Sequence, residues 1–146
     1  MIKRFKNVRL THIPVFQPEG SSDKIKYLLN FYQVDSKNKE RKQEGIGFCL
    51  KITQAHPENA KSYALLADFQ YFDNQIAAAK QSYITTISLD SSRFPVWNQL
   101  IYIFADQGDT SDLINYSKRA IDLFPNQPTI YLTYGIGLSQ QEKNED

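Results

Sequence analysis

The sequence has few of the residues and segments on which several classes of protein depend. Its 146 residues include one cysteine, Cys49, and two histidines, His12 and His56. A lone cysteine forms neither a disulfide within the chain nor a thiolate metal cluster. Neither histidine has a metal ligand or a nucleophile at a recognised spacing. No segment approaches the roughly 20 consecutive apolar residues that span a bilayer. These absences argue against disulfide scaffolds, metal centres and membrane helices.

Motifs for catalysis are missing as well. The two Gly-x-Gly segments, Gly45 to Gly47 and Gly135 to Gly137, lie within stretches of helical pattern, so neither is expected to form a phosphate-binding loop. Carboxylates such as Asp109 stand at predicted helix starts, where capping and the helix dipole account for them. We therefore expect no cofactor, no metal and no catalytic residue in this chain.

The N-terminal residues Met1 to Arg9 are basic, but no apolar run follows them, so they do not resemble a signal peptide. We expect a soluble protein. It would be cytoplasmic if the sequence is the whole protein, and the periplasm remains open if the sequence is an excised domain.

Charge is distributed unevenly although the formal net charge is +1. Residues 1–51 contain 11 lysines and arginines against 5 acidic residues, whereas residues 52–146 contain 6 against 11. Such a division can favour head-to-tail packing or an anionic partner near the N-terminus. Charges that only solvate helix surfaces are the simpler interpretation.

Residues 60–127 contain the same apolar pattern twice. The second copy lies thirty-four positions after the first, as Trp97 lies after Tyr63. Within each copy the apolar residues recur three and four apart, as on one face of a helix. Polar turn residues divide each copy into two helices, Asp73-Asn74 in the first and Gln107-Gly108-Asp109 in the second. A fixed period of this length is typical of stacked helical repeats. The matching pairs are Tyr63 and Trp97, Leu66 and Leu100, Ala79 and Leu113, Ile87 and Ile121, and Leu89 and Leu123.

Incomplete copies flank these two. A helix from about Lys39 to Ala55 keeps the register of the second helix of each copy and should end before His56-Pro57. Tyr131 follows Trp97 by the same offset and opens a further copy. The predicted division is an extended arm at 1–22, then a helical domain at 23–146 with a degenerate repeat at 23–57, repeats at 60–93 and 94–127, and the first helix of another repeat at 128–142.

The pattern resembles the tetratricopeptide motif, which is Trp-x2-Leu-Gly-x2-Tyr, then Ala-x3-Phe, then Pro. The second copy supplies Trp97-x2-Leu100-Ile101-x2-Phe104, Leu113-x3-Ser117 and Pro125, and the first supplies Tyr63-x2-Leu66-Ala67-x2-Gln70 and Ala79-x3-Tyr83. The resemblance implies an all-α solenoid of antiparallel helix pairs in a right-handed superhelix, with about three pairs and a final single helix. It also implies a piece of a longer array of bacterial type. The residues assigned to the repeat core are Tyr63, Leu66, Ala67, Ala79, Tyr83, Trp97, Leu100, Phe104, Ala120 and Pro125.

The resemblance further implies a non-catalytic scaffold that binds a peptide or a helix of a partner protein in a concave groove. The first helix of each pair lines that groove, with aromatic rings that would anchor the partner and carboxylates that would make the surface acidic. Alternatively, Phe72 and Tyr102 belong to the core or lie under the N-terminal arm. The predicted groove residues are Lys61, Asp68, Tyr71, Phe72, Asn98, Tyr102 and Asp106.

Other partners follow from other features. The lysine and arginine pairs with which some tetratricopeptide proteins clamp a chaperone carboxylate are missing, so we do not expect an adaptor of that kind. The chain could instead be the helical domain of a larger assembly whose basic N-terminal part contacts an anionic partner, either a nucleic acid or an acidic protein. Because the repeats themselves are acidic, nucleic acid is not expected. If the chain is a fragment, the exposed face of its last helix should cause self-association.

Overall fold

The computed structural model describes residues 39–145, and it describes side chains for residues 43–143. The predicted arm at 1–22 and the first helix of the 23–57 unit lie outside the described residues. Within 39–145 the chain forms six α-helices and no strand. They are α1 (Lys39–Ala55), α2 (Ala60–Phe72), α3 (Ile76–Leu89), α4 (Phe94–Gln107), α5 (Thr110–Leu123) and α6 (Pro128–Glu145).

The helices recur with the period that the sequence predicts. The first helices α2, α4 and α6 begin at Ala60, Phe94 and Pro128, and the second helices α3 and α5 begin at Ile76 and Thr110. Each of these steps equals the offset of the apolar pattern. The ends of α1, α3 and α5 are spaced in the same way. The all-α fold of stacked helix pairs is therefore confirmed, and α6 continues past its predicted end at 142 to Glu145.

The turns inside the two complete pairs share one geometry. Asn74 and Gly108, which lie one repeat period apart, have φ angles of 61° and 70°. Glycine enters this left-handed region without a steric penalty, and asparagine is among the few other residues that enter it routinely. After each turn a backbone N–H donates to the carbonyl five residues earlier, from Gln75 to Gln70 and from Asp109 to Phe104.

The apolar core follows the contacts between consecutive helices. Helices α2 to α6 contribute to one cluster around Trp97, and α1 and α2 share a second cluster around Phe69. At Gly45, α1 lies so close to α2 that an added Cβ would be 2.5 Å from the Phe69 ring. Burial raises the pKa of the Cys49 thiol to about 12. Cys49 is thus the small buried apolar residue that its place on the inner face of a helix predicts.

Most residues assigned to the repeat core are buried, and two are not. Tyr63 is half-buried, and Pro125 is exposed in the connection after α5. Pro125 follows the last residue of α5 by two positions, so it acts at the helix end and not in the core. The buried members are Leu66, Ala67, Ala79, Tyr83, Trp97, Leu100, Phe104 and Ala120.

Across residues 39–145, no helix combines the length and the apolar character that crossing a membrane requires. The same part of the chain contains no group of three or more histidine, cysteine, aspartate or glutamate side chains placed to hold a metal ion.

Candidate functional site

A cavity of about 530 Å3 lies between the first helices α2 and α4, with α3 contributing to its wall. Residues spaced three, four or seven apart share a helix face, which is why single faces of α2 and α4 supply most of the lining. The lining residues are Leu65, Asp68, Tyr71 and Phe72 from α2, Tyr83 from α3, and Asn98, Gln99 and Tyr102 from α4.

The structure brings five of the seven predicted groove residues together at this cavity: Asp68, Tyr71, Phe72, Asn98 and Tyr102. The other two are exposed and lie at opposite helix ends, Lys61 at the start of α2 and Asp106 at the end of α4.

Sequence reasoning did not find three further residues of the lining: Leu65, Tyr83 and Gln99. Leu65 and Gln99 each precede a leucine that packs in the core. Helical spacing alone does not tell which of two adjacent residues packs and which lines the cavity. The sequence pattern assigns Tyr83 to the core, and its buried ring fits that assignment. Its hydroxyl group is what reaches the cavity, and no sequence pattern signals this.

Two aromatic side chains at the cavity are open to solvent. Phe72 is 47% exposed and Tyr102 is 57% exposed. The alternative that they belong to the core is therefore wrong. The alternative that the arm at 1–22 covers them involves residues outside the described part of the chain. Tyr71 is half-buried and meets Phe72 edge to face, with ring centroids 5.9 Å apart. Such a pair presents a ring face and a ring edge to a partner.

Asp68 carries the negative charge of this cavity. The Tyr83 hydroxyl donates a hydrogen bond of 2.6 Å to Asp68 Oδ1. Burial raises the pKa of Asp68 above its usual 3.8, and the hydrogen bond from Tyr83 opposes that rise. Burial and the neighbouring Asp68 carboxylate together raise the pKa of Tyr83. Tyr83 therefore keeps its proton and shares it with an Asp68 carboxylate that is largely withdrawn from water.

The cavity is built from positions at which the two repeats differ. Asp68 of α2 corresponds in register to Tyr102 of α4, and Asn98 of α4 corresponds to Ala64 of α2. Packing positions such as Leu66 and Leu100 keep the same residue type. Stacking requires the packing residues to recur, but it places no such demand on the groove. The residues that line the cavity are therefore free to differ between repeats.

Comparison with known proteins agrees with this architecture. No protein-family model matches the chain. A tetratricopeptide repeat protein 21 homologue from Caenorhabditis elegans is 25% identical over 77 residues, which are 53% of this chain and 6% of that protein. The solved structure of the assembly chaperone of RpL4 (Acl4, residues 1–338) matches with a TM-score of 0.56 at 13% identity, over 82% of this chain and 46% of that one. The chain has the fold of a helical repeat protein of the tetratricopeptide type.

The chain spans less than half the length of each of these two proteins. In such arrays the first helix of each pair lines the concave side, as the resemblance implies. The cavity lies between two of these first helices, α2 and α4. It is therefore a candidate site for a ligand.

Proposed function

We propose that this chain is a non-catalytic scaffold that holds a peptide or a short helix of a partner protein in the cavity between α2 and α4. The observation that carries the proposal is the exposure of Phe72 and Tyr102 at the mouth of an open cavity. Aromatic side chains contribute large contact areas to protein interfaces and are enriched among their energetic anchors. A partner that covered these two rings would gain the apolar burial that they lack in the free chain.

The type of fold and its neighbours support the general part of this proposal. Tetratricopeptide-type helical arrays are protein-interaction scaffolds, and the structural neighbour is named as an assembly chaperone. Burial and the neighbouring Asp68 raise the pKa of Tyr83, so its hydroxyl holds its proton firmly and is a poor nucleophile.

The test uses peptides selected from a phage-displayed random library against the chain, with affinities measured by fluorescence anisotropy. Tyr102→Ala should weaken the selected peptides roughly tenfold or more, as truncation of an interface anchor does. Leu123→Ala is the control, because Leu123 is a similarly exposed apolar side chain at the end of α5, outside the cavity and outside α6. Circular dichroism should show that both variants remain helical. Equal affinities of the two variants would overturn the proposal.

The other partners stay predictions. The basic residues that would meet an anionic partner lie largely before residue 43, outside the described side chains. A salt-dependent shift of DNA or RNA in a gel would support that alternative. Self-association through α6 is favoured by its apolar exposed side chains, which include Leu132 and Ile136.

A further inference from the structure

The Asp68 carboxylate is placed where a bound cation would compensate its charge. It lines a cavity and accepts one hydrogen bond, from the Tyr83 hydroxyl at 2.6 Å. Across the described residues, the lysine and arginine ion pairs involve Asp109 and Asp90, and none involves Asp68. A carboxylate that is withdrawn from water without a cationic partner carries a desolvation cost, which the raised pKa of Asp68 reflects.

The groups around Asp68 favour a cation in a second way. Tyr71, Phe72 and Tyr102 line the same cavity, and the faces of such rings attract lysine and arginine head groups. The chain already uses this interaction elsewhere, because the Arg119 guanidinium lies 5.3 Å from the centroid of the Trp97 ring. The side-chain amides of Asn98 and Gln99 also line the cavity, and each can accept a hydrogen bond from a cationic head group.

The buried Tyr83 hydroxyl requires a hydrogen-bond acceptor at this position, but it does not require a charged one. In the next repeat the same register position holds Tyr102, which is neutral. A carboxylate or phosphate in the cavity would be repelled by Asp68, and an apolar side chain would withdraw Asp68 further from water without pairing it. The other lining residues are uncharged, so the charge of the cavity is that of Asp68.

We infer that the cavity selects a peptide by a lysine or arginine side chain, which pairs with Asp68 and lies against the rings of Tyr71, Phe72 and Tyr102. This inference rests on the proposed function and adds a specificity to it. The bound cation supplies the counter-charge that the free chain lacks, so the peptide gains from an ion pair whose carboxylate is already held in place by Tyr83.

The experiment divides the displayed library into four parts, with one central position fixed as lysine, arginine, methionine or glutamate. The lysine and arginine parts should yield binders, and the methionine part should yield few. Asp68→Asn removes the charge but leaves an amide oxygen that can accept the Tyr83 hydrogen bond. It should weaken the basic peptides roughly tenfold or more, as loss of one partner of a desolvated charge pair does. It should not lower the melting temperature, because it removes a charge that is costly in the free chain.

The control is Asp122→Asn, which removes the same charge from an exposed position on α5. It should leave the affinity for basic peptides within about twofold of the parent chain, since an exposed charge at a distance is screened by salt. Equal enrichment of the methionine part, or unchanged binding by Asp68→Asn, would overturn the cation inference while leaving the groove as a peptide site. If none of the four parts yields a binder, the proposed function itself is contradicted.

Discussion

Helices α4 and α6 hold the same place in successive repeats, yet they bury their counterpart side chains to different extents. Trp97 of α4 is 1% exposed, whereas Tyr131 of α6, one repeat period later, is 47% exposed. The difference comes from α5, which packs its Tyr116 ring 6.2 Å from the Trp97 centroid and 5.0 Å from that of Phe104. In the described chain, no second helix follows α6 to cover the corresponding face.

The two side chains nevertheless make the same local hydrogen bond. The Trp97 indole N–H donates to the carbonyl of Ser91 at 3.0 Å, and the Tyr131 hydroxyl donates to the carbonyl of Pro125 at 3.0 Å. Each acceptor lies six residues before its donor. The orientation of the aromatic ring is thus set within one repeat, while its burial depends on the next helix. In a stacked array, stability comes from the repeat and from its neighbours as separable contributions.

The largest test of this comparison truncates both rings. Trp97→Ala should lower the free energy of unfolding by about 3–5 kcal/mol, because it leaves a large cavity between helices that cannot collapse fully. Tyr131→Ala should lower it by about 1 kcal/mol, since it removes a half-exposed ring and one exposed hydrogen bond. Urea unfolding followed by circular dichroism measures both changes.

The urea measurement should be repeated at several protein concentrations, because self-association would bury the α6 face and make stability depend on concentration. If Tyr131→Ala lowered the free energy of unfolding of the dilute monomer as much as Trp97→Ala does, the difference in burial between the two rings would be contradicted.

The second test asks how closely α6 lies against α5 on its covered side. A Cβ added at Gly137 would lie 2.8 Å from Ile114 Cγ1 and 3.3 Å from Leu113 Cγ, while one added at Gly135 would meet nothing within 4 Å. Gly137→Ala should therefore lower the free energy of unfolding by roughly 1–2 kcal/mol through overpacking. Gly135→Ala is the matched control on the same helix.

The control should gain up to about 1 kcal/mol, because alanine loses less backbone entropy than glycine in a helix. Urea unfolding of the two variants side by side separates the steric effect from helix propensity. If both variants raised the free energy of unfolding, α6 would not lie against α5 closely enough at Gly137 for an added methyl group to clash.

Much of the fold could be predicted because packing residues must recur wherever helices stack. The repeat period located the starts of α2, α4 and α6, and the turn residues Asn74 and Gly108 located the breaks within the pairs. Such features are encoded locally in the sequence, in side-chain type and in the φ angles that glycine and asparagine tolerate. They need no knowledge of how distant helices meet.

The candidate site could be predicted only in part, because a groove depends on where two helices diverge. Off-face positions on the first helices identified Asp68 and Tyr102, but the same reasoning also chose Lys61, which lies outside the cavity. Tyr83 shows why the rest could not be found. Its ring packs in the core while its hydroxyl reaches Asp68 from a different helix, and this double role depends on the angle between α2 and α3.

The smallest test extends the comparison to α2, whose polar core residue makes it differ from both other first helices. Ser62 occupies the register position of Val96 in α4 and Ile130 in α6, and all three side chains are buried. Among the described residues, the Ser62 hydroxyl has no hydrogen-bond partner. A buried hydroxyl in that state costs free energy that an apolar side chain would not. Ser62→Ala should therefore raise the free energy of unfolding by about 1 kcal/mol in urea.

Ser117→Ala is the control for this change, since Ser117 is a buried serine whose hydroxyl lies 3.4 Å from that of Thr133 on α6. Its truncation removes a contact between helices and should give no gain in stability. If Ser62→Ala and Ser117→Ala shifted the urea midpoint alike, the Ser62 hydroxyl would have a partner in solution, such as a buried water. A gain confined to Ser62→Ala would mean that this position favours an apolar side chain in every first helix. The difference in burial between Trp97 of α4 and Tyr131 of α6 would then come from the helix that covers each ring, and not from the sequence of α4 or α6 itself.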